Sequence, residues 1–225
     1  MPVPVEPRER KLPVIRTPAA DGTGLAHLEA GQPEDRVPLQ TFEGIVRGRR
    51  SVYGYLEHGI PRQLIEHAIR LAVLAPNHHR THPWRFHVFT QAGRERLARA
   101  YQAAATRLGR DVARARARAL DAPVMIVVAC VPDLRNPKVR AAEESFATAA
   151  AVQTLLLALA ASGLASLIST GDLAQSEEVH RLIGLAPEAG QVVAVVNAGH
   201  ADPARPPARR PETDPASYLS WCEQP

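Results

Sequence analysis

Apolar residues recur along this chain at two spacings, and the switches between them mark its elements. In LQTFEGIVRGRRS, residues 39–51, Leu39, Phe42, Ile45 and Val46 fall three and four apart, which predicts a helix. Gly48 then lets the chain leave it. A second helix opens at Gly59-Ile60-Pro61, because proline suits a first turn, and RQLIEHAIRLAVLA carries it to a stop at Pro76. WRFHVFT sets Trp84, Phe86 and Val88 against Arg85, His87 and Phe89, a strand alternation. GRERLARAYQAAATRLG and RDVARARARALD return to helical spacing. APVMIVVACV is wholly apolar and rich in β-branched residues, which predicts a buried central strand. EESFATAAAVQTLLLALAASG is apolar nearly all round, as in a helix covered on more than one side, and Gly163 ends it. LASLIST predicts a strand, SEEVHRLIGL a helix capped by Ser176, and QVVAVVNAGH a second central strand.

The order is helix, helix, strand, helix, helix, strand, helix, strand, helix, strand and tail. It predicts an α+β or α/β fold with three layers around a sheet of about four strands. The Ala/Leu-rich helix has more apolar surface than one sheet face can cover, so a subunit interface is expected and with it a homodimer. Residues 1–38 carry proline and charge without periodicity, and are expected to form an extended, partly ordered or disordered N-terminal extension. The compact domain is expected to span 39–225, closing in a proline-rich tail. No internal repeat is visible.

Charge and cysteine usage narrow the classes. Arginine supplies 25 of the 27 basic side chains, and a formal charge of +4 suits an anionic small molecule as well as a nucleic acid. RDVARARARAL has no interleaved aromatics, so it is expected to be a solvated helix face and not a nucleic-acid groove. Cys130 and Cys222 form no CxxC pair, and Cys130 sits in an apolar run as a buried structural thiol. With no apolar leader at the N-terminus, the expectation is a soluble, cytoplasmic protein.

Four short stretches could carry chemistry. RGRRS places Arg49, Arg50 and Ser51 after the first helix, either satisfying its free carbonyls or clamping a phosphate. LAPNHHRTHPWRFHVF, residues 74–89, holds four histidines. His78, His79 and His82 could bind a metal, but the stretch has no Asp, Glu or Cys and no HExxH. The other readings are a structural loop, or a ligand loop between a helix end and a strand start. SLISTGDL ends a strand in Ser169-Thr170-Gly171, either a capped turn or a close backbone approach to a ligand. ARPPARRP, residues 204–211, is either a solvated basic tail or the other half of a phosphate clamp. A Gly-x-Gly-x-x-Gly fingerprint, a Walker loop and a Gly-x-Ser-x-Gly elbow are all absent.

In this order, over roughly residues 39 to 212, these stretches resemble the nitroreductase family of FMN-dependent oxidoreductases. Ala75, Pro76, Pro83, Trp84 and Phe86 match the family's Ala-Pro-Ser-x-x-Asn-x-Gln-Pro-Trp-x-Phe pattern. Pro76-Asn77-His78-His79 is similar to the Pro-Asp-His-Lys loop of a shorter-chain subgroup. The resemblance implies a central mixed, mainly antiparallel sheet and a dimer formed on the long helix, with FMN at the subunit interface. It implies that Arg49, Arg50 and Ser51 hold the phosphate and ribityl chain, with Arg209 or Arg210 as the C-terminal basic partner. Asn77, His78 and His82 belong to the loop pattern, His78 reaching over from the other subunit, and Ile168, Ser169 and Thr170 run beside the ring. The implied reaction is ping-pong: NADH or NADPH reduces the flavin, and a nitroaromatic, quinone or related electron-poor acceptor then takes the electrons. No metal, nucleic acid or membrane partner is implied, and no side chain is singled out as a catalytic acid. A biosynthetic flavin dehydrogenase with a dedicated substrate, or a non-catalytic flavin-binding or sensing protein, would share these features. Two departures stand out: the family's loop Asn is Arg80 here, and its Gln is His82.

Overall fold

The protein was examined as a computed structural model, which describes residues 38–222. The expected N-terminal extension therefore lies outside the described residues, save for Pro38. Helices α1 (Leu39–Gly48) and α2 (Arg62–Ala72) precede strand β1 (Trp84–Thr90). Helices α3 (Ala92–Arg107) and α4 (Val112–Leu120), strand β2 (Val124–Cys130) and helix α5 (Ala141–Ala161) follow. Strand β3 (Ala165–Ser169), helix α6 (Glu177–Ile183) and strand β4 (Gln191–Gly199) complete the domain. The sequence of elements is the one the hydrophobic pattern predicts. Helix α2 stops earlier than expected: Leu74 and Ala75 bond back to the Leu71 and Ala72 carbonyls in turns, so the chain bends before Pro76.

The sheet runs β1-β2-β4-β3, and every ladder in it is antiparallel. The parallel pairing among the described residues is an isolated bridge, Ser51 to Ser166. β2 is buried along its whole length, as its unbroken apolar run requires of a central strand. β1, at an edge, leaves Arg85 and Val88 exposed. One sheet face carries Phe89, Met125, Val127 and Val195 against Leu97 and Tyr101 of α3, Ala115 of α4 and Val179 of α6. The opposite face carries Ile126, Val128 and Val196 against Ile65 of α2 and Val152, Leu155 and Leu159 of α5. This is the three-layer arrangement, with the core in two slabs.

Local chemistry closes the elements. The Ser176 hydroxyl accepts from the Val179 amide and caps α6, as its sequence predicts. Gly163 takes a φ of 74° just beyond α5, a backbone region glycine enters without strain. Gly190 has no room for a side chain, since a Cβ there would collide with the Cys130 carbonyl oxygen. Cys130 is buried and its thiol is pushed up from its ordinary pKa, first by burial.

Among the described residues, two apolar surfaces have no cover. α1 buries none of its residues, leaving Leu39 74 % and Phe42 50 % exposed. Phe146 of α5 is 73 % exposed. α5 is long and apolar enough to cross a membrane by length and composition, but half of it is buried in this fold, where its inner face packs on the sheet.

Candidate cofactor site

Three guanidinium groups meet where α1 ends. The Arg49 amide closes the helix on the Ile45 carbonyl at 2.9 Å, so Arg49 and Arg50 leave it as an adjacent pair. The tail after β4 folds back onto them. Arg210 donates to the Arg49 carbonyl at 2.5 Å and to the Val46 carbonyl at 3.5 Å. Arg50 donates to the Ala208 carbonyl, so the tail is held from both sides. The Arg49 guanidinium lies below its ordinary pKa, first through burial and then through repulsion from Arg210 and Arg50. Among the described residues, no carboxylate pairs with Arg49, Arg50 or Arg210, whereas Arg47, Arg107, Arg110 and Arg205 all have acidic partners. Arg209 is exposed beside this cluster.

The next residues lie against the edge strand β3. Ser51 bridges to Ser166, and the Val52 amide donates to the Ser166 carbonyl at 3.2 Å. The Ser166 side chain is 1 % exposed and its hydroxyl has no hydrogen-bond partner among the described residues. Further along, Ile168 is 39 % exposed, Ser169 ends the strand half-buried, and Thr170 follows it exposed. The structure thus brings Arg49, Arg50, Ser51 and Arg210 together and runs Ile168–Thr170 out from their edge of the sheet.

The histidine loop is a different place. Asn77 organises it: its Oδ1 accepts from the His82 amide at 2.7 Å and lies 3.2 Å from the Thr81 hydroxyl. Its Nδ2 donates to Glu144 at 3.1 Å. His78 reaches Glu143 at 3.3 Å and stacks on His79 with ring centroids 3.9 Å apart. His79, Arg80 and His82 take φ of 62°, 53° and 49°, where non-glycine residues are strained. His78, His79, Arg80 and His82 are all exposed. A crevice of about 560 Å³ lies beside the loop, lined by Pro76, Asn77, His78, Glu143 and Phe146.

Sheet register sets the distance between the two places. Ser166 lies in one row with Ala198, Val124 and Thr90, and Trp84, where the histidine loop enters β1, is at the far end of the opposite edge. Three strand spacings across and six residues along amount to roughly 25 Å. Within one chain the arginine cluster and the histidine loop therefore join the sheet at opposite corners.

Glu144, which the sequence pattern did not single out, anchors the histidine loop. It is 1 % exposed in the first turn of α5, yet it holds the histidine loop through Asn77 and Thr81. Its spacing from Thr148, Ala151, Val152, Leu155 and Leu159 puts it on the buried helix face, a signal visible in the sequence.

Comparison with known proteins completes the description. Residues 46–200 match the Nitroreductase family. YfhC of Bacillus subtilis, named as an NAD(P)H nitroreductase, is 26% identical over 167 residues, 71% of this chain and 84% of its own. YdjA of Escherichia coli K12, named likewise, is 28% identical over 139 residues, 60% of this chain and 75% of its own. Among solved structures, a nitroreductase-like family protein from Bacillus cereus superposes with a TM-score of 0.71 at 24% identity, over 81% of this chain and 96% of that one. The FMN-dependent nitroreductase NfnB of Mycobacterium smegmatis, in complex with NADPH, gives 0.65 at 18% identity, over 82% and 99%.

Proposed function

The chain belongs to the nitroreductase family, and from that premise we propose that it is an FMN-dependent NAD(P)H oxidoreductase acting on nitroaromatic, quinone or related electron-poor small molecules. The observation that carries the reading is the convergence of Arg49, Arg50 and Arg210 with no carboxylate among them. Like charges this close raise each other's energy, and a phosphate dianion offsets that repulsion through several charge-assisted hydrogen bonds. Next to the arginines, Ser51 is exposed and the buried Ser166 hydroxyl lacks a partner, as a polyhydroxylated chain leading away from a phosphate would use. Ile168, Ser169 and Thr170 then offer one apolar and two hydroxyl side chains beside a flat ring. These residues fit FMN.

FMN, when bound, supplies the relay of two electrons from a reduced nicotinamide to the acceptor in two half-reactions. The chain's own residues bind and orient it. Arg49, Arg50, Arg209 and Arg210 hold the phosphate, with Ser51 on the ribityl chain. The histidine half, with Asn77, His78 and His82, comes from a second copy, because one chain keeps the halves roughly 25 Å apart. A homodimer of this kind also covers Leu39, Phe42 and Phe146. We assign residues 39–225 to this domain and the protein to the cytoplasm.

Equilibrium dialysis of the full chain against FMN tests the reading. We expect about one FMN per chain, and an Arg50→Ala, Arg210→Ala double variant that loses at least about tenfold in affinity, as loss of two charge-assisted bonds implies. Unchanged affinity in that variant would remove the arginine cluster from the site.

A further inference from the structure

Glu144 is buried, and no cation among the described residues pairs with it. Its two carboxylate oxygens are taken up by neutral donors, the Asn77 amide at 3.1 Å on Oε1 and the Thr81 hydroxyl at 2.5 Å on Oε2. No Lys, Arg or His among the described residues forms an ion pair with it; the neighbouring His78 pairs with Glu143 instead. The carboxylate sits in the first turn of α5, where the helix dipole favours negative charge, and the Thr148 hydroxyl fixes the same turn by donating to the Glu144 carbonyl at 2.9 Å.

Both donors belong to the histidine loop, and they are the side chains that tie it to α5. Thr81 has a single proton but two oxygens in reach, Glu144 Oε2 at 2.5 Å and Asn77 Oδ1 at 3.2 Å. The shorter contact takes the proton. Asn77 Oδ1 is then free to accept the His82 amide at 2.7 Å, while Asn77 Nδ2 is spent on Glu144. The orientation of the Asn77 amide, and so the bond that holds His82, follows from where Glu144 stands. Between these anchors lie His79, Arg80 and His82, all at positive φ without being glycine. A strained loop keeps such a conformation only while its surroundings hold it; Arg85 holds the His82 carbonyl at 2.8 Å, and the Asn77 and Thr81 side chains converge on one carboxylate.

We propose that Glu144 is a positioning residue for the cofactor: through Asn77 and Thr81 it fixes the outward presentation of His78, Arg80 and His82 towards the flavin of the partner copy. This rests on the functional reading above. Glu144 touches neither cofactor nor acceptor; it acts through the loop. A Glu144→Gln variant keeps the network, because its amide donates to Thr81 Oγ1 and the Thr81 proton turns to Asn77 Oδ1. Glu144→Ala removes both anchors at once, and Thr81→Val removes one with little change of shape.

The test is equilibrium dialysis of full-length wild type, E144Q, E144A and T81V against FMN, combined with hydrogen exchange of the His82 amide in the flavin-free proteins. We expect wild type and E144Q to agree within about twofold. E144A and T81V should bind FMN about tenfold more weakly and should lose protection at His82. T81V guards against the outcome in which E144A does not fold. If wild type binds FMN but E144A and T81V match it in affinity and in His82 protection, the proposal is overturned and the functional reading survives. Wild type that takes up no FMN overturns the functional reading itself, and the cofactor role of Glu144 with it.

Discussion

Arg210 lies 161 residues beyond Arg49 along the chain, and no local pattern joins it to the Arg49-Arg50 pair. Each cluster was legible in the sequence as a dense set of guanidinium donors, but that the tail returns to α1 is a tertiary fact, carried by Arg210 on the Arg49 carbonyl. Glu144 was less legible, because an acid at a helix start reads first as a dipole partner. The positive φ values at His79, Arg80 and His82 were not legible at all, since the loop is tied down by long-range hydrogen bonds to Glu144 and not by glycines. The orphaned Ser166 hydroxyl gives one prediction. In flavin-free protein, Ser166→Ala should be neutral or stabilising by about 1 kcal/mol in urea unfolding, because it removes an unsatisfied buried group. A loss of that size would mean the hydroxyl is already bonded. Glu178 gives another. Arg107 holds its carboxyl down at about 2, through bonds of 2.9 and 3.0 Å. A carboxylate depressed from 4.5 stabilises the fold fully above pH 4.5 and loses that contribution as pH falls towards 2. The stability gap between wild type and Glu178→Gln should therefore be constant near neutrality and close across that acid window in pH-dependent denaturant titrations.

Elements followed their hydrophobic periods closely. β2 is buried throughout because its run is apolar throughout, and α5 is long because no breaker interrupts it before Gly163. Where the pattern misled, geometry was responsible. Trp84 and Val88 share the alternation of β1, yet of the two only Trp84 is buried, since β1 is an edge strand and nothing among the described residues covers Val88. The spacing of Leu39, Phe42, Ile45 and Val46 forecasts a helix correctly, but its apolar residues are not in this chain's core. The load between α5 and the sheet should rest on Leu155, which is fully buried. Leu155→Ala should cost about 2–5 kcal/mol in equilibrium unfolding, and a cost under about 1 kcal/mol would contradict the packing described. The α6 cap is smaller: Ser176→Ala should cost about 1 kcal/mol by the same measurement.

At the scale of the whole molecule, the proposed function makes a single chain half of two sites. The arginine cluster and the histidine loop lie at opposite edges of one sheet, and Leu39 and Phe42 of α1 and Phe146 of α5 face outwards. One association answers both facts. Phe146→Glu should therefore shift the protein from dimer to monomer in light scattering and lose FMN together with the dimer, while far-UV circular dichroism stays unchanged. A dimer that survives the substitution would put the interface elsewhere. The most direct measurement is the visible spectrum of the purified protein, first as isolated and then, without oxygen, after NADPH or NADH. The account predicts flavin bands near one per chain that either nucleotide bleaches and that a quinone or nitroaromatic restores. Protein that binds FMN yet is bleached by neither nucleotide would contradict an oxidoreductase and leave a flavin-binding protein in its place.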